Sequence, residues 1–159
     1  MSAPPANVHA TAIVVGTMGL LFLGPSGAGK SSLAFACLAD AHRRGQYAAL
    51  VSDDRVLIST HGDRLIASGP ASIQGLLELR HSAIVRIPHI GAAVLDYAIL
   101  PVARDDAERL PPEDEIVDVL PHGRLPAIRI ARDIGEPLAS IAALISMRSS
   151  KTSSKSLSF

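Results

Sequence analysis

The chain of 159 residues is one domain's worth, and its 15 basic and 15 acidic residues cancel to a formal net charge of zero. No overall positive field therefore draws it to nucleic acid or to an anionic membrane. Nearly half of the residues (48%) are apolar but only 3% are aromatic, so the core must be built from Ala, Leu, Ile and Val. The single cysteine, Cys37, excludes an intramolecular disulfide framework and any cysteine-only metal site.

Met1 to Ala6 lacks the basic start and apolar run of a signal peptide, and no segment is long and apolar enough to span a bilayer. The expectation is a cytoplasmic protein. Val8 to Val15 and Met18 to Leu23 read as two strands around the short turn Gly16-Thr17. A hairpin there makes the sheet mixed rather than purely parallel. The second strand runs into Gly24-Pro25-Ser26-Gly27-Ala28-Gly29-Lys30-Ser31, which fits the P-loop pattern G-x-x-x-x-G-K-[ST]. Ser31 to about His42 reads as a helix, stopped at Gly45. The helix follows the loop directly, so its free backbone N–H groups and dipole face whatever the loop holds. Gly24, Gly27 and Gly29 let the backbone wrap closely around a phosphate. Lys30 then meets the terminal phosphates as a point charge, and Ser31 offers a hydroxyl to Mg²⁺.

Tyr47 to Val51 reads as a buried strand ending in Ser52-Asp53-Asp54. An acid at the end of such a strand commonly serves the metal in P-loop proteins. Two adjacent carboxylates allow one to serve the metal side while the other takes a proton from an incoming hydroxyl. Arg55 to Thr60 and Arg64 to Ala67 flank a hairpin turn at His61-Gly62-Asp63. Ile73 to Leu79 reads as a short helix carrying Glu78, which on spacing alone is the wet face of that helix. Ala83 to Ile87 and Ala92 to Leu100 are further strands. Ala103 to Glu115 is a charged surface excursion. Ile116 to Leu120 and Ala127 to Ile130 are late strands, and Pro137 to about Met147 is a closing helix. Residues 1–148 thus read as one domain carrying the P-loop, and Ser149 to Phe159, rich in Ser and Lys, reads as a disordered tail. His9, just before a strand, reads alone as structural or exposed, the other five histidines show no metal-ligand spacing, and Arg104, Arg109, Arg129 and Arg132 read as solvated faces unless an acidic partner or phosphate meets them.

Val8-His9, the P-loop, Val51-Ser52-Asp53-Asp54 and Leu76-Leu77-Glu78-Leu79-Arg80, in this order and spacing, resemble the HPr kinase/phosphorylase family. The resemblance runs from about Ala6 to Leu110 and more loosely to about Met147. It implies an α/β fold: a P-loop kinase core with a mixed β-sheet flanked by helices, the HPr kinase C-terminal-domain type, similar to PEP carboxykinase. It also implies ATP- and Mg²⁺-dependent phosphorylation of a serine of the phosphocarrier protein HPr. The reverse reaction would use phosphate and release pyrophosphate. By the same likeness Gly24 to Ser31 bind the nucleotide phosphates, Ser31 and Glu78 serve the metal, and Asp53 assists at the metal or positions the serine. Asp54 is the proton acceptor and donor, and His9, Lys30 and Arg109 complete the active site. A homo-oligomer, a hexamer by resemblance, is expected, with neither nucleic acid nor membrane as partner. The chain looks like the short, alpha-proteobacterial form of the family, without its N-terminal domain. It departs from the family in three places: His81-Ser82-Ala83-Ile84 replaces a Gly-rich run, Ser32 replaces a common acid, and Arg129 to Asp133 matches only loosely the late segment tied to dephosphorylation. These departures bear more on phosphorolysis than on the kinase reaction. A P-loop ATPase, a small-metabolite kinase and a nucleotide-dependent binding module are the alternative readings.

Overall fold

A computed structural model describes residues 4–106, 110–119 and 121–155. Strands β1 (Ala6–Val8), β2 (Ala10–Val15) and β3 (Met18–Leu23) lead to helix α1 (Lys30–Arg43). Next come β4 (Ala48–Ser52), β5 (Val56–His61), β6 (Arg64–Ser68), β7 (Leu76–Leu79), β8 (Ala83–Arg86), β9 (Ala92–Val94) and β10 (Tyr97–Val102). The chain closes with β11 (Ile116–Val119), β12 (Gly123–Ala131) and helix α2 (Pro137–Lys155).

Six strands form the central sheet in the order β11-β12-β10-β3-β2-β4. β3, β10 and β12 are parallel, while β2 is antiparallel to both β3 and β4. Hence β3, β4, β10 and β12 run one way and β2 the other. This is the mixed sheet expected from the Gly16 hairpin, where Gly16 takes φ 61. The polarity positions the site. The carboxyl ends of β3 and β4 and the amino end of β2 meet at one edge of the sheet, outside the strand ends where open α/β sheets bind ligands.

Alternation along the strands divides the core in two. Ile13, Leu20, Phe22, Leu50 and Ile99 pack on one face with Leu33, Ala34, Cys37 and Leu38 of α1 and Leu138 and Ile141 of α2. Ala12, Val14, Leu21, Val51 and Ala98 face the other way, onto Val56, Ile58, Leu65 and Ala67. Those last four lie in a second, four-stranded sheet ordered β1-β5-β6-β9. Helices therefore cover one face of the central sheet and a second sheet covers the other.

Four local readings change. The single strand expected over Ala92 to Leu100 is two: β9 pairs with β6 in the second sheet, and β10, from Tyr97, joins β3 and β12 in the central one. The strand expected over Val8 to Val15 splits at His9: β1 leaves the central sheet to pair with β5, and β2 begins at Ala10. The segment read as a helix over Ile73 to Leu79 is a 3₁₀ turn at Ala71–Ile73 followed by strand β7. Gly75, at φ 76, breaks the helical path, and β8 supplies antiparallel partners for all four residues of β7. Leu77 then points into the core while Glu78 points out, a period of two rather than 3.6. Finally, α2 continues to Lys155, so helical backbone runs through 149–155, part of the stretch read as a tail. There the Ser150 hydroxyl donates to the carbonyl one turn back, at Ser146.

Candidate functional site

The loop between β3 and α1 folds as its glycines demand. Gly24, Gly27 and Gly29 take φ values of 151, 82 and 93, a region that side chains disfavour. Gly29 is the N-cap of α1 and no side chain caps the helix, so its first amides stay directed at the loop. Lys30 is buried, with Nζ donating to the carbonyls of Gly24 (2.7 Å) and Pro25 (2.9 Å). Burial holds its ammonium below the ordinary 10.5, and the Asp54 and Asp53 carboxylates pull it back up.

Because β2 runs against β3, its amino end delivers His9 beside this loop, and β4 delivers Asp53 and Asp54. Asp54 adopts φ 67. Its carbonyl accepts from Ala10 N–H at 3.3 Å. His9 Nδ1 lies 3.1 Å from that carbonyl and 3.0 Å from Asp54 Oδ1, so a proton on Nδ1 reaches both oxygens. Asp53 turns the opposite way and is buried. Its Oδ1 accepts from the hydroxyls of Thr11 (2.9 Å) and Ser31 (2.7 Å), and its Oδ2 accepts from the Glu78 backbone N–H (3.1 Å). Three donors satisfy a carboxylate that would otherwise be costly to bury.

An open cleft of about 210 Å³ lies against these groups. Ser26, Gly27, Gly29, Lys30 and Ser31 of the loop and helix start line it together with His9, Asp54 and Glu78. Of the residues the sequence pointed to, those eight meet in this one cleft. Asp53 sits behind Ser31 rather than on the wall. Gly24 lies under the Lys30 ammonium. Pro25 and Ala28 face a second cavity on the far side of the loop, between it and Pro101 to Ala103 with Arg132. Arg109 lies outside the described residues. Of the remaining arginines, Arg104 pairs with Asp133 and Arg129 pairs with Glu115.

Two residues of the site escaped sequence reasoning. Arg80 lines the cleft, and a Cβ on Gly27 would come within 3.5 Å of its guanidinium. Glu78 lies in the last pair of β7 residues and Arg80 is the first residue beyond the strand, so both reach the cleft from one strand end. Reading the segment as a helix hid the pair. Thr11 is fully buried and gives no sign in sequence, because its role depends on the β2–β4 register.

Among the described residues no three His, Cys, Asp or Glu side chains gather as a metal site. Ser31 and Glu78 do offer hard oxygens on the cleft wall. That donor set suits Mg²⁺, which takes one or two protein oxygens and fills its remaining positions with water and substrate phosphates.

A sequence profile for the HPr Serine kinase C-terminal domain matches residues 2–95, well over half of the chain. The chain belongs to this HPr serine kinase domain family. The matched stretch holds every element of the cleft, from His9 through the P-loop to Arg80. Among curated relatives, the HPr kinase/phosphorylase of Mycoplasmopsis pulmonis is 34% identical over 85 residues, 54% of this chain and 26% of the relative. That of Clostridium tetani is 35% identical over 88 residues, 55% of this chain and 27% of the relative. The match thus spans about a quarter of those relatives' length. In fold, the HPr(Ser) kinase/phosphatase of Coxiella burnetii superposes with a TM-score of 0.73 at 23% identity, covering 93% of this chain and 99% of that one. Covering 93% of this chain, that likeness in fold reaches beyond the profile match, which ends at residue 95. No helix among the described residues is long and apolar enough to cross a membrane.

Proposed function

We propose that this domain transfers the terminal phosphoryl group of ATP to a serine hydroxyl of the phosphocarrier HPr, in a Mg²⁺-dependent reaction. The observation that carries the reading is the single cleft in which a P-loop faces the Asp54 carboxylate. The loop amides and Lys30 bind the phosphates and neutralise charge that develops on them. Ser31 and Glu78 would hold Mg²⁺, with Asp53 behind Ser31. When bound, the ion draws charge off the phosphate oxygens and keeps them aligned.

Asp54 takes the proton of the incoming serine hydroxyl as that oxygen bonds to the terminal phosphorus. The bond from phosphorus to the bridging oxygen breaks, and ADP leaves. His9, against the Asp54 carbonyl and one carboxylate oxygen, orients the carboxylate. A positioned base of this kind contributes about 10²–10⁴ in rate. The Arg80 guanidinium adds a second positive charge over the loop.

Microscopic reversibility gives the phosphorolytic direction. An oxygen of inorganic phosphate, seated on the loop, attacks the phosphorus of phosphoserine. The bond to the serine oxygen breaks, protonated Asp54 returns the proton to that oxygen, and pyrophosphate leaves. The test is incubation with γ-labelled ATP, Mg²⁺ and HPr, followed by mapping of the label. Label on a serine of HPr is the expected result. Label released as free phosphate, with HPr unmodified, would replace the reading with a hydrolase.

A further inference from the structure

We propose that Thr11 is a positioning residue for the metal-binding oxygens of the cleft. Its buried hydroxyl anchors Asp53, and Asp53 in turn fixes Ser31 and Glu78. The inference rests on the phosphotransfer reading above.

One carboxylate joins three elements. Thr11 on β2 and Ser31 on α1 both donate to Asp53 Oδ1, at 2.9 and 2.7 Å, and the Glu78 N–H on β7 donates to Oδ2 at 3.1 Å. Two of these three partners carry the oxygens that would meet Mg²⁺. A serine hydroxyl has one proton and two lone pairs. While Ser31 gives its proton to Asp53, its lone pairs remain directed away from the carboxylate and into the cleft. Glu78 is tethered to Asp53 by backbone, so its side chain starts from a fixed point. The alignment of both depends on Asp53 not rotating. Thr11 supplies the hold that belongs to neither ligand, since it is fully buried and absent from the cleft wall.

The choice of residue supports this role. Position 11 lies on the same face of β2 as Ile13, which packs in the helix-side core. Valine would fill that space in a strand equally well. The hydroxyl is the one group that packing does not require, and Asp53 is what it bonds. Residues bonded behind metal ligands in this way typically change metal affinity or activity about 10–100-fold when removed.

The experiment uses ADP binding measured by calorimetry across a range of Mg²⁺ concentrations, with thermal unfolding recorded alongside. For Thr11→Val the half-saturating Mg²⁺ concentration rises about tenfold, and for Thr11→Ser it stays within about threefold of the unaltered chain. At saturating Mg²⁺ all three bind ADP alike, whereas a purely structural defect weakens ADP at every Mg²⁺ concentration. A folded Thr11→Val chain with an unshifted Mg²⁺ midpoint overturns the inference and leaves the functional reading standing. An unaltered chain that binds ADP without regard to Mg²⁺ overturns both. Should Thr11→Val not fold, the unaltered chain is read by NMR. The Thr11 hydroxyl proton is expected to stay slow to exchange with water when Mg²⁺ and ADP are added, and rapid exchange counts against the assignment.

Discussion

Asp54→Asn separates the chemistry of the carboxylate from the conformation of its backbone. Asp54 holds φ 67, a left-handed conformation that costs most L residues about 1–2 kcal/mol but that Asn tolerates as Asp does. The bond from Ala10 N–H to its carbonyl is independent of the side chain. The ion pair with His9 joins side chains that are 50% and 68% exposed, and such a pair is worth about 0–1 kcal/mol. Folding stability should therefore change by less than about 1 kcal/mol. The transfer rate should fall about 10²–10⁴-fold, or ~2.7–5.5 kcal/mol of barrier. Asp54→Ala should show the same loss of rate together with the backbone strain, about 1–2 kcal/mol. For a chain of this size that strain lowers the unfolding temperature by about 2–4 °C per kcal/mol. The assay is single-turnover formation of phosphoserine on HPr at saturating Mg²⁺ and ATP, with ADP affinity and thermal unfolding measured on the same samples. An Asp54→Asn chain that keeps more than about a tenth of the rate refutes the base assignment. So does one that loses ADP binding in step with the rate, since the residue would then be holding nucleotide.

Three further predictions concern the frame that holds the site. Cys37 is fully buried in the α1 core, and burial, aided by Asp40, pushes its thiol up to about 12. It should react with a thiol reagent only as fast as the chain opens, so labelling that outpaces unfolding would place the helix elsewhere. Glu115 accepts two bonds from Arg129, at 2.8 and 2.7 Å, and they hold its carboxyl below the ordinary 4.5. A depressed acid is stabilising above its unfolded value and loses that contribution as pH falls through the folded value. Glu115→Gln should thus cost about 1–2 kcal/mol at neutral pH, with the difference from the unaltered chain shrinking below pH 4.5; a pH-independent difference contradicts the pairing. Gly19→Ala would drive its new Cβ into the Val94 carbonyl oxygen. Because that oxygen belongs to packed backbone and the Cβ is fixed to its own, a loss of about 3 kcal/mol or more is expected in denaturant unfolding, and a neutral substitution would refute the β3–β9 contact.

What the sequence made legible, and what it hid, follow from range of interaction. The P-loop could be read because its glycines, lysine and serine are contiguous and each answers a local demand of phosphate binding. Asp53 and Asp54 stood out as acids closing an apolar strand, and the hairpin at Gly16 already implied a mixed sheet. Leu76-Leu77-Glu78-Leu79 misled because leucine and glutamate favour helices in isolation, and a strand partner outweighed that preference. With the segment read as a helix, Arg80, just past the end of β7, was not joined to Glu78 at the cleft. Thr11 and Asp53 are 42 residues apart, and no local pattern says that an antiparallel pairing will bring them into contact. That the two acids divide the labour could be read from the doublet, but which takes which part came only from the family resemblance. Whether each faces the cleft or the core is set by the left-handed turn at Asp54, which the doublet itself does not reveal.

The most direct measurement is a crystal structure of the chain with Mg²⁺ and a non-hydrolysable ATP analogue. The account predicts the β- and γ-phosphates on the amides of residues 27–31 with Lys30 alongside, the metal against Ser31, and the Asp54 carboxylate facing the γ-phosphorus. Phosphates bound away from that loop, or Asp54 turned from them with another side chain in its place, would contradict it.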